Sequence, residues 1–337
     1  MNGDELLSRL DSIGWTTTLA PESIDALAAL RLRGSSFELA AITAELALEH
    51  QPITLRGLFY RVVSTGFFPS TDQRYYSRLQ RLVSTLRSEH LIPYSWIVDN
   101  LRSTIKPSSW SGLSDFADTV RNAYRLDFWA SLDDCVHVFV EKDAMTGVIA
   151  PVTEEFDVPL SPVRGYVSDS FAHALGSQFA KIKKPIHCFY LGDFDPSGFD
   201  LERSLVDKLG IHSGKKFLFA DDSSHIALAE DLAKTTDLRG AFVTWERLSL
   251  TEDDFETHNL IELEVKKTDT RASQFMREHG QRCAEVDALD PNVIRQRVRE
   301  AITRYVPDKK WQRLQEVEFL ERESWEATLG QFAKVGQ

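Results

Sequence analysis

The chain has 337 residues, enough for about two domains at roughly 150 residues each. Hydrophobic residues make up 42% of it and charged residues 27%, which is typical of a globular protein and excludes a mainly disordered one. No apolar run approaches the roughly 18 residues of a membrane-spanning helix, and the acidic start lacks the apolar stretch of a secretory signal. The cysteines, Cys135, Cys188 and Cys283, form no CxxC pair, so we expect buried free thiols in a reducing cytoplasm.

The charge is unevenly distributed along the chain. The formal net charge of -12 on its own argues against nucleic-acid binding. The window from Arg56 to Lys106, however, holds eight basic and three acidic residues, so it carries +5 and the rest of the chain -17. A basic segment within an acidic protein is typical of a phosphate-binding face, although solvated helices with surface arginines produce such windows too.

The first 130 residues have a helical pattern. Apolar spacing predicts helices over Asp4–Leu10, Pro21–Leu30, Ser36–Glu49 and Gln73–Glu89, and a further helix that Thr54 caps and that ends near Gly66. A short extended segment, Trp96–Val98, follows them. Short helices followed by a small strand predict a winged-helix (CAP-like) domain over residues 50–130, preceded by a helical extension over residues 1–49.

After residue 133, strands alternate with helices. Strands are predicted over Val136–Val140, Ile186–Leu191, Lys216–Ala220, Ala241–Trp245 and Cys283–Val286. Helices are predicted over Ala144–Phe156, Asp169–Ile182, Phe199–Leu209, His225–Lys234, Pro291–Tyr305 and Trp311–Phe332. This alternation predicts an α/β domain over residues 131–337, built on a parallel sheet with helices on its faces.

Three carboxylates follow predicted strands. Glu141 ends the first strand of the second domain, and Asp193 and Asp195 follow the next one in the string Gly-Asp-Phe-Asp-Pro-Ser-Gly. Ligand sites of open α/β sheets lie at the carboxyl ends of the strands, so we expect the three acids to converge there. Hard oxygen ligands of this kind suit Mg²⁺, a metal that usually acts on phosphates. Each motif alone is weak, and Lys142, which follows Glu141, is most simply an ion-pair partner beside the metal.

A tyrosine in the basic window is the second candidate. Arg56 and Tyr60 are spaced i and i+4, so they project from one side of a helix. The guanidinium could hold a phosphate while the phenol points at the same phosphorus. In isolation, this pair would more simply be a surface arginine and a core aromatic. Gly57, in the middle of the same helix, costs about 1 kcal/mol of helix stability.

Together these strings resemble a known family. A strand-end Glu, then a second strand ending in Gly-Asp-x-Asp-Pro-x-Gly and a helix, resemble the Toprim fold shared by topoisomerases, primases and some nucleases. A basic helical domain with Arg-x-x-x-Tyr before such a domain resembles the A subunit of DNA topoisomerase VI and the related meiotic double-strand-break transesterases. The resemblance covers about residues 45–305 and includes Cys283–Leu289 as a late strand.

The resemblance implies that Tyr60, supported by Arg56, attacks double-stranded DNA and leaves a 5′-phosphotyrosyl end, with Mg²⁺ held by Glu141, Asp193 and Asp195. In that family Glu141 can also assist acid–base chemistry. A nucleoid-associated homodimer is implied, in which each tyrosine works against the metal of the other subunit. ATP-driven strand passage would need a separate GHKL-type ATPase as a B-type subunit. The residues expected to contact DNA phosphates are Arg61, Arg74, Arg78, Arg81 and Arg87.

Two alternatives remain open at this point. A hydrolytic Toprim nuclease, as in plasmid or phage defence, would use the same acids and replace Tyr60 by water. A non-catalytic DNA-binding accessory would need neither the tyrosine nor the metal. The intact acids Glu141, Asp193 and Asp195 argue against the accessory, because nothing structural requires three converging carboxylates.

Overall fold

The computed structural model describes residues 1–98, 107–220, 240–266 and 268–335, with side chains up to residue 325. It begins with helices that share one apolar core. They are α1 (Gly3–Ser12), α2 (Pro21–Ala28), α3 (Ser36–His50), α4 (Leu55–Ser64) and α5 (Gln73–Ser88). Two short strands, β1 (Ile53–Thr54) and β2 (Ile97–Val98), pair in parallel beside them. The predicted helices of this part are therefore confirmed within a few residues.

One acid lies inside the N-terminal core. Glu45 of α3 is buried and accepts hydrogen bonds from the amide and the hydroxyl of Thr18, both at 2.6 Å, and from the indole of Trp15 at 2.9 Å. Burial raises the pKa of Glu45, but these donors outweigh it and hold the pKa below its ordinary value. The carboxylate therefore ties the segment between α1 and α2 to α3.

A five-stranded parallel sheet forms the second half. Its strands are β3 (Cys135–Val140), β4 (Leu160–Pro162), β5 (Ile186–Leu191), β6 (Lys216–Phe219) and β7 (Phe242–Ser249). They lie in the order β4-β3-β5-β7-β6, and every neighbouring pair is parallel. Val140 pairs with Leu191, so β3 and β5 end at the same level. The predicted α/β class with a parallel sheet is confirmed.

Helices cover both faces of the sheet. The helices described in this half are α6 (Leu113–Ala123), α7 (Phe128–Ser131), α8 (Asp143–Glu155), α9 (Asp169–Lys181), α10 (Pro196–Ser213), α11 (Asp253–Thr257), α12 (Ala272–His279), α13 (Pro291–Thr303) and α14 (Asp308–Val335). α9 and α10 share an apolar core with one face, and α8 and α13 share one with the other. An antiparallel pair, β8 (Leu263–Glu264) and β9 (Arg282–Cys283), and a 3₁₀ turn at Val286–Ala288 flank the sheet.

Several finer predictions of the fold stay open, and one needs correction. The structure gives helices and a parallel strand pair in the first part, and the winged-helix assignment and the boundaries at residues 49 and 130 stay predictions. The strand predicted over Cys283–Val286 is shorter than predicted: β9 ends at Cys283, Ala284 forms an isolated antiparallel bridge with Phe194, and a 3₁₀ turn begins at Val286. The helix predicted over His225–Lys234, and Arg102 and Lys106 of the basic window, lie outside the described residues.

The cysteines are free, as the sequence predicts, and the helices match its lack of a long apolar run. Cys135, Cys188 and Cys283 are all free; the first is half-buried and the other two are buried. Burial raises the pKa of all three, which keeps them as thiols at neutral pH. Within the described ranges, no helix combines the length and the apolar character that crossing a membrane requires.

Replacing Glu45 by alanine is expected to lower the free energy of unfolding by about 2 kcal/mol, because three hydrogen-bond donors, two on Thr18 and one on Trp15, lose their buried acceptor. Denaturant unfolding at neutral pH measures this difference. Glu49→Ala is the matched control: its side chain, one turn further along α3, is 64% exposed, and the change should stay within about 0.5 kcal/mol. Equal destabilisation by the two variants would contradict the structural role of Glu45.

Candidate active site

Glu141 stands at the carboxyl end of β3, where the sequence predicts it. Its backbone amide donates to the carbonyl of Leu191 at 2.9 Å, so the ends of β3 and β5 are joined. Its carboxylate Oε2 accepts a hydrogen bond from the backbone amide of Asp193 at 2.8 Å. Burial, and then the charge of Asp193, raise the pKa of Glu141 to about 7. Glu141 is therefore a half-buried carboxylate fixed by the neighbouring turn.

Asp193 and Asp195 lie on the turn between β5 and α10. Asp193 is buried, and its Oδ1 accepts the amide of Val286 at 2.8 Å. Burial raises the pKa of Asp193 to about 6. Asp195 caps α10, because its Oδ1 accepts the amide of Gly198 at 2.7 Å. The structure thus joins Glu141 and Asp193 by a hydrogen bond and puts Asp195 at the start of the next helix.

Two glycines leave room for the Glu141 carboxylate. A Cβ at Gly192 would lie 2.5 Å from Tyr190 Cε1 and 2.8 Å from Glu141 Oε2. A Cβ at Gly198 would lie 2.4 Å from the carbonyl oxygen of Asp193 and 3.1 Å from Glu141 Oε2. Both distances to backbone or ring atoms are shorter than real Cβ contacts. The glycines of the Gly-Asp-Phe-Asp-Pro-Ser-Gly string are therefore required by the close approach of the carboxylate.

Lys142 lies at the centre of a cluster of acids. Its Nζ is 3.0 Å from Asp193 Oδ1, 3.2 Å from Glu285 Oε2 and 3.0 Å from Asp287 Oδ2. Burial alone would lower the pKa of Lys142, but the three carboxylates outweigh it and hold the pKa above its ordinary value. The predicted ion-pair role of Lys142 is thereby confirmed, and the ammonium neutralises acids of two separate segments, the turn after β5 and residues 285–287.

Glu285 and Asp287 also bind the N-terminal part. Arg56 of α4 donates to Glu285 through Nε at 3.1 Å and through Nη2 at 2.9 Å. Burial raises the pKa of Glu285, but Lys142 and then Arg56 outweigh it and the net pKa is lowered. The hydroxyl of Thr54 donates to Asp287. Sequence reasoning missed both acids as site residues, although it singled out their segment.

The same contact explains a glycine in α4. A Cβ at Gly57 would lie 3.2 Å from both Ile53 Cγ1 and Thr54 Oγ1, and 3.4 Å from the carbonyl oxygen of Asp287. Gly57 is the third residue of α4, and a larger residue there would require the neighbouring side chains to shift.

Tyr60 is buried, in contrast to the expectation that its phenol points at a phosphate. The side chain is 0% exposed and belongs to the apolar core beneath the sheet. Arg56 Nη2 donates to its hydroxyl at 3.3 Å. Burial, and then the charge of Glu285, raise the pKa of Tyr60 to about 12. The expected exposure is wrong because α4 packs against both parts; the nucleophilic role stays a prediction and would require the ring to leave the core.

Two of the five predicted DNA-binding arginines donate to backbone carbonyls outside their own helices. Arg61 donates to the carbonyl of Ala288, and burial lowers its pKa. Arg87 donates to the carbonyls of Tyr94 and Ile97 and so holds the segment after α5. These guanidiniums already satisfy backbone acceptors. Their predicted role as phosphate contacts is not supported by the structure, because helix periodicity alone cannot tell which arginines face a neighbouring segment.

The other three predicted arginines lie along the outer side of α5. Arg74 and Arg81 are exposed, and Arg78 is half-buried and donates to the hydroxyl of Ser35 at 2.9 Å. Tyr76 also lies on α5, and its ring centre is 5.3 Å from the guanidinium carbon of Arg56 on α4. Since Arg56 binds Glu285, α5 is a neighbour of the acidic cluster. Contact of these arginines with DNA stays a prediction.

A cavity of about 540 Å³ opens beside these residues. Its lining includes acids and bases from several segments. The charged lining residues are Arg56, Lys142, Asp193, Asp195, Glu264, Lys266, Asp269 and Glu285. A cavity that joins carboxylates to basic side chains can hold a cation and an anionic group next to each other.

The donor chemistry of this cavity fits Mg²⁺. Among the residues that the structure describes, no three His, Cys, Asp or Glu side chains converge at metal-ligand spacing. Mg²⁺, however, usually keeps several waters and takes only one or two protein carboxylates together with substrate phosphates. Glu141 and Asp193 supply two hard oxygen donors, and the glycines beside Glu141 leave space that a side chain would fill.

The arrangement brings the carboxylates of Asp193 and Asp195, the Lys142 ammonium and the Arg56 guanidinium to one cavity. Glu141 adjoins it through its hydrogen bond with the amide of Asp193. Such a site can bind a phosphodiester and a divalent cation together. Comparison with models of protein families, with curated proteins and with solved structures found no match for this chain.

Gly198→Ala is expected to destabilise the fold by more than about 1 kcal/mol, because the added methyl meets the Asp193 carbonyl. Gly210→Ala, in the same helix α10, is the matched control: its Cβ would have only ordinary contacts, the nearest at 3.7 Å, so it should be neutral or stabilising by up to about 1 kcal/mol. Thermal unfolding of both variants tests this difference. A neutral Gly198→Ala would mean that the turn does not hold Glu141 as described.

Proposed function

We propose that the chain is a Mg²⁺-dependent enzyme that cleaves phosphodiester bonds of double-stranded DNA by hydrolysis. The observation that carries the proposal is the hydrogen bond between the Glu141 carboxylate and the amide of Asp193, at the ends of two neighbouring parallel strands, where Asp193 lines a cavity together with Arg56 and Lys142. Nothing in the folding of a sheet requires a half-buried and a buried carboxylate at adjacent strand ends, since their desolvation raises both pKa values and costs free energy.

The charges of the cavity support a phosphodiester as the substrate group. Arg56, Lys142 and Lys266 supply positive charge at its lining, and an Arg can hold two phosphate oxygens at once. In the absence of substrate, Glu285 occupies the guanidinium of Arg56. A phosphate would compete with Glu285 for that guanidinium and would share the Lys142 ammonium.

Glu141 and Asp193, with Asp195 at the start of α10, would hold the Mg²⁺. When bound, the metal would supply charge stabilisation for the phosphoryl group and the leaving oxygen and would favour a hydroxide-like water. The protein residues have separate tasks. Arg56 orients the phosphate, Lys142 keeps the acids from repelling one another, and the amide of Asp193 fixes the orientation of Glu141.

Water is the proposed nucleophile because Tyr60 is 0% exposed and the pKa of its hydroxyl is raised to about 12. Both features oppose a phenolate that reaches substrate. The transesterase is the second candidate, and one contact favours it: Arg56, which lines the cavity, also donates to the Tyr60 hydroxyl at 3.3 Å. That reading requires α4 to shift and release the ring.

The finer fold assignments belong to this proposal. We infer a Toprim-like sheet, because acids follow two adjacent parallel strands, and a winged-helix-like DNA-binding role for the helices of residues 50–98. A homodimer would let two such sites cut both strands. The hydrolytic reaction itself needs no ATP. A GHKL-type partner belongs to the transesterase candidate, in which it would drive strand passage.

Asp193→Asn is expected to lower Mg²⁺-dependent cleavage of supercoiled plasmid by at least about 100-fold, because it removes a ligand charge beside Glu141. Tyr60→Phe should keep cleavage within about threefold of the wild-type rate. Asp207→Asn, on the exposed side of α10, is the control for the loss of one carboxylate and should leave the rate unchanged. Agarose-gel assays with circular dichroism of each variant measure both effects.

A covalent protein–DNA adduct after rapid denaturation, lost in Tyr60→Phe together with cleavage, would contradict hydrolysis and establish the transesterase. Unchanged cleavage in Asp193→Asn would remove the acidic site from the reaction altogether.

Arg74→Ala and Arg81→Ala together are expected to weaken binding to DNA of any sequence and to reduce the dependence of log affinity on log salt by about 2, since each exposed guanidinium contacts one phosphate. Fluorescence anisotropy at several salt concentrations measures this slope. Arg87→Ala should instead destabilise the fold, because Arg87 binds backbone carbonyls. A salt slope that the double variant leaves unaltered would exclude α5 as a DNA-binding face.

A further inference from the structure

Tyr190, next to the end of β5, projects to the same side of the sheet as Glu141. Side chains alternate between the two faces of a strand, so Tyr190 and Gly192 share a face. Phe139 of β3 pairs with Tyr190, and Glu141 follows two positions later on that face. The Tyr190 ring therefore lies in the layer between the sheet and α10, one strand away from the carboxylate.

The hydroxyl of Tyr190 is a buried donor without a partner. The side chain is 0% exposed, and no described residue forms a hydrogen bond with the hydroxyl. The ring itself is well packed: its centre is 5.8 Å from that of Trp245 and 5.4 Å from the guanidinium carbon of Arg247. Buried polar groups nearly always find a partner, because leaving one unpaired costs about 1–3 kcal/mol. A phenylalanine would pack equally well, so the hydroxyl needs an explanation.

The phenol end and the Glu141 carboxylate border the same small space. A single point, the Cβ position at Gly192, is 2.9 Å from Tyr190 Cζ and 2.8 Å from Glu141 Oε2. Because Gly192 has no side chain, no other group from the turn separates the two at that point. The carboxylate is an acceptor with several lone pairs, of which the Asp193 amide uses one.

We propose that the Tyr190 hydroxyl is a positioning group for Glu141, to which it donates a hydrogen bond, directly or through one water, when the carboxylate holds a divalent cation. This inference rests on the proposed function and adds a residue to that site. The phenol would fix the orientation of the carboxylate, as outer partners of ligating carboxylates do. A charge-assisted hydrogen bond of this kind strengthens the hold of the carboxylate on the cation.

A purely structural tyrosine makes the opposite prediction. If the hydroxyl only fills space, its removal leaves cation binding unchanged and the fold as stable as before or more stable, because an unpaired buried donor is lost. If it orients Glu141, its removal weakens the binding of the cation. The two roles therefore differ in a quantity that packing alone does not change.

The test compares Tyr190→Phe with the wild-type chain by titration calorimetry with Mg²⁺ alone, without DNA. Tyr190→Phe is expected to raise the dissociation constant for Mg²⁺ by about 10-fold. A fixed Mg²⁺ concentration should also raise the thermal unfolding temperature less in Tyr190→Phe than in the wild type. Each protein is compared with its own metal-free state. Tyr94→Phe, whose ring is exposed, is the matched control for the loss of a phenol hydroxyl and should bind Mg²⁺ as the wild type does.

The outcomes separate this inference from the proposed function. A wild-type chain that binds no Mg²⁺ overturns both. Wild-type binding that Tyr190→Phe leaves unchanged overturns the role of Tyr190 alone and leaves the metal site standing. A Tyr190→Phe chain that does not fold also overturns it, because the hydroxyl would then have a structural partner.

Discussion

The ammonium of Lys142 is the contact on which the site depends. It lies 3.0–3.2 Å from carboxylate oxygens of Asp193, Glu285 and Asp287, which come from the turn after β5 and from the segment that contacts α4. Without that charge, three buried or half-buried acids would repel one another, and uncompensated buried charges are strongly destabilising. One lysine therefore joins the sheet, the acidic turn and the N-terminal helices into a single site.

The position of α4 follows from these acids and decides the chemistry. Glu285 binds Arg56, and Asp287 binds the Thr54 hydroxyl, so the first turns of α4 are fixed to the second half of the chain. A helix held between two apolar cores buries side chains on more than one face. Tyr60 is among them, which removes its phenol from solvent and leaves the carboxylates and Arg56 as the accessible groups of the cavity. This arrangement is the reason that we propose hydrolysis rather than attack by the tyrosine.

Local patterns in the sequence were sufficient to predict most helices and strands and some of the site residues. The β5 strand is a six-residue apolar run, and the periodic apolar positions of α5 define its buried face, so both were predictable. Glu141 and Asp193 could be identified because the carboxyl ends of parallel strands lie at one edge. Glu285 could not, because its partner Arg56 is 229 residues away and no local pattern encodes such a pairing. The burial of Tyr60 could not be predicted for a similar reason, because the apolar pattern of a helix does not show that a second part of the chain packs against it.

The identity of the attacking nucleophile tests the account most directly. Cleavage of DNA in water enriched in ¹⁸O, followed by mass spectrometry of the terminal phosphates, reports which oxygen attacks phosphorus. The account predicts one ¹⁸O atom in each newly formed terminal phosphate and no DNA attached to the protein. Unlabelled phosphate joined to a peptide that contains Tyr60 would contradict it.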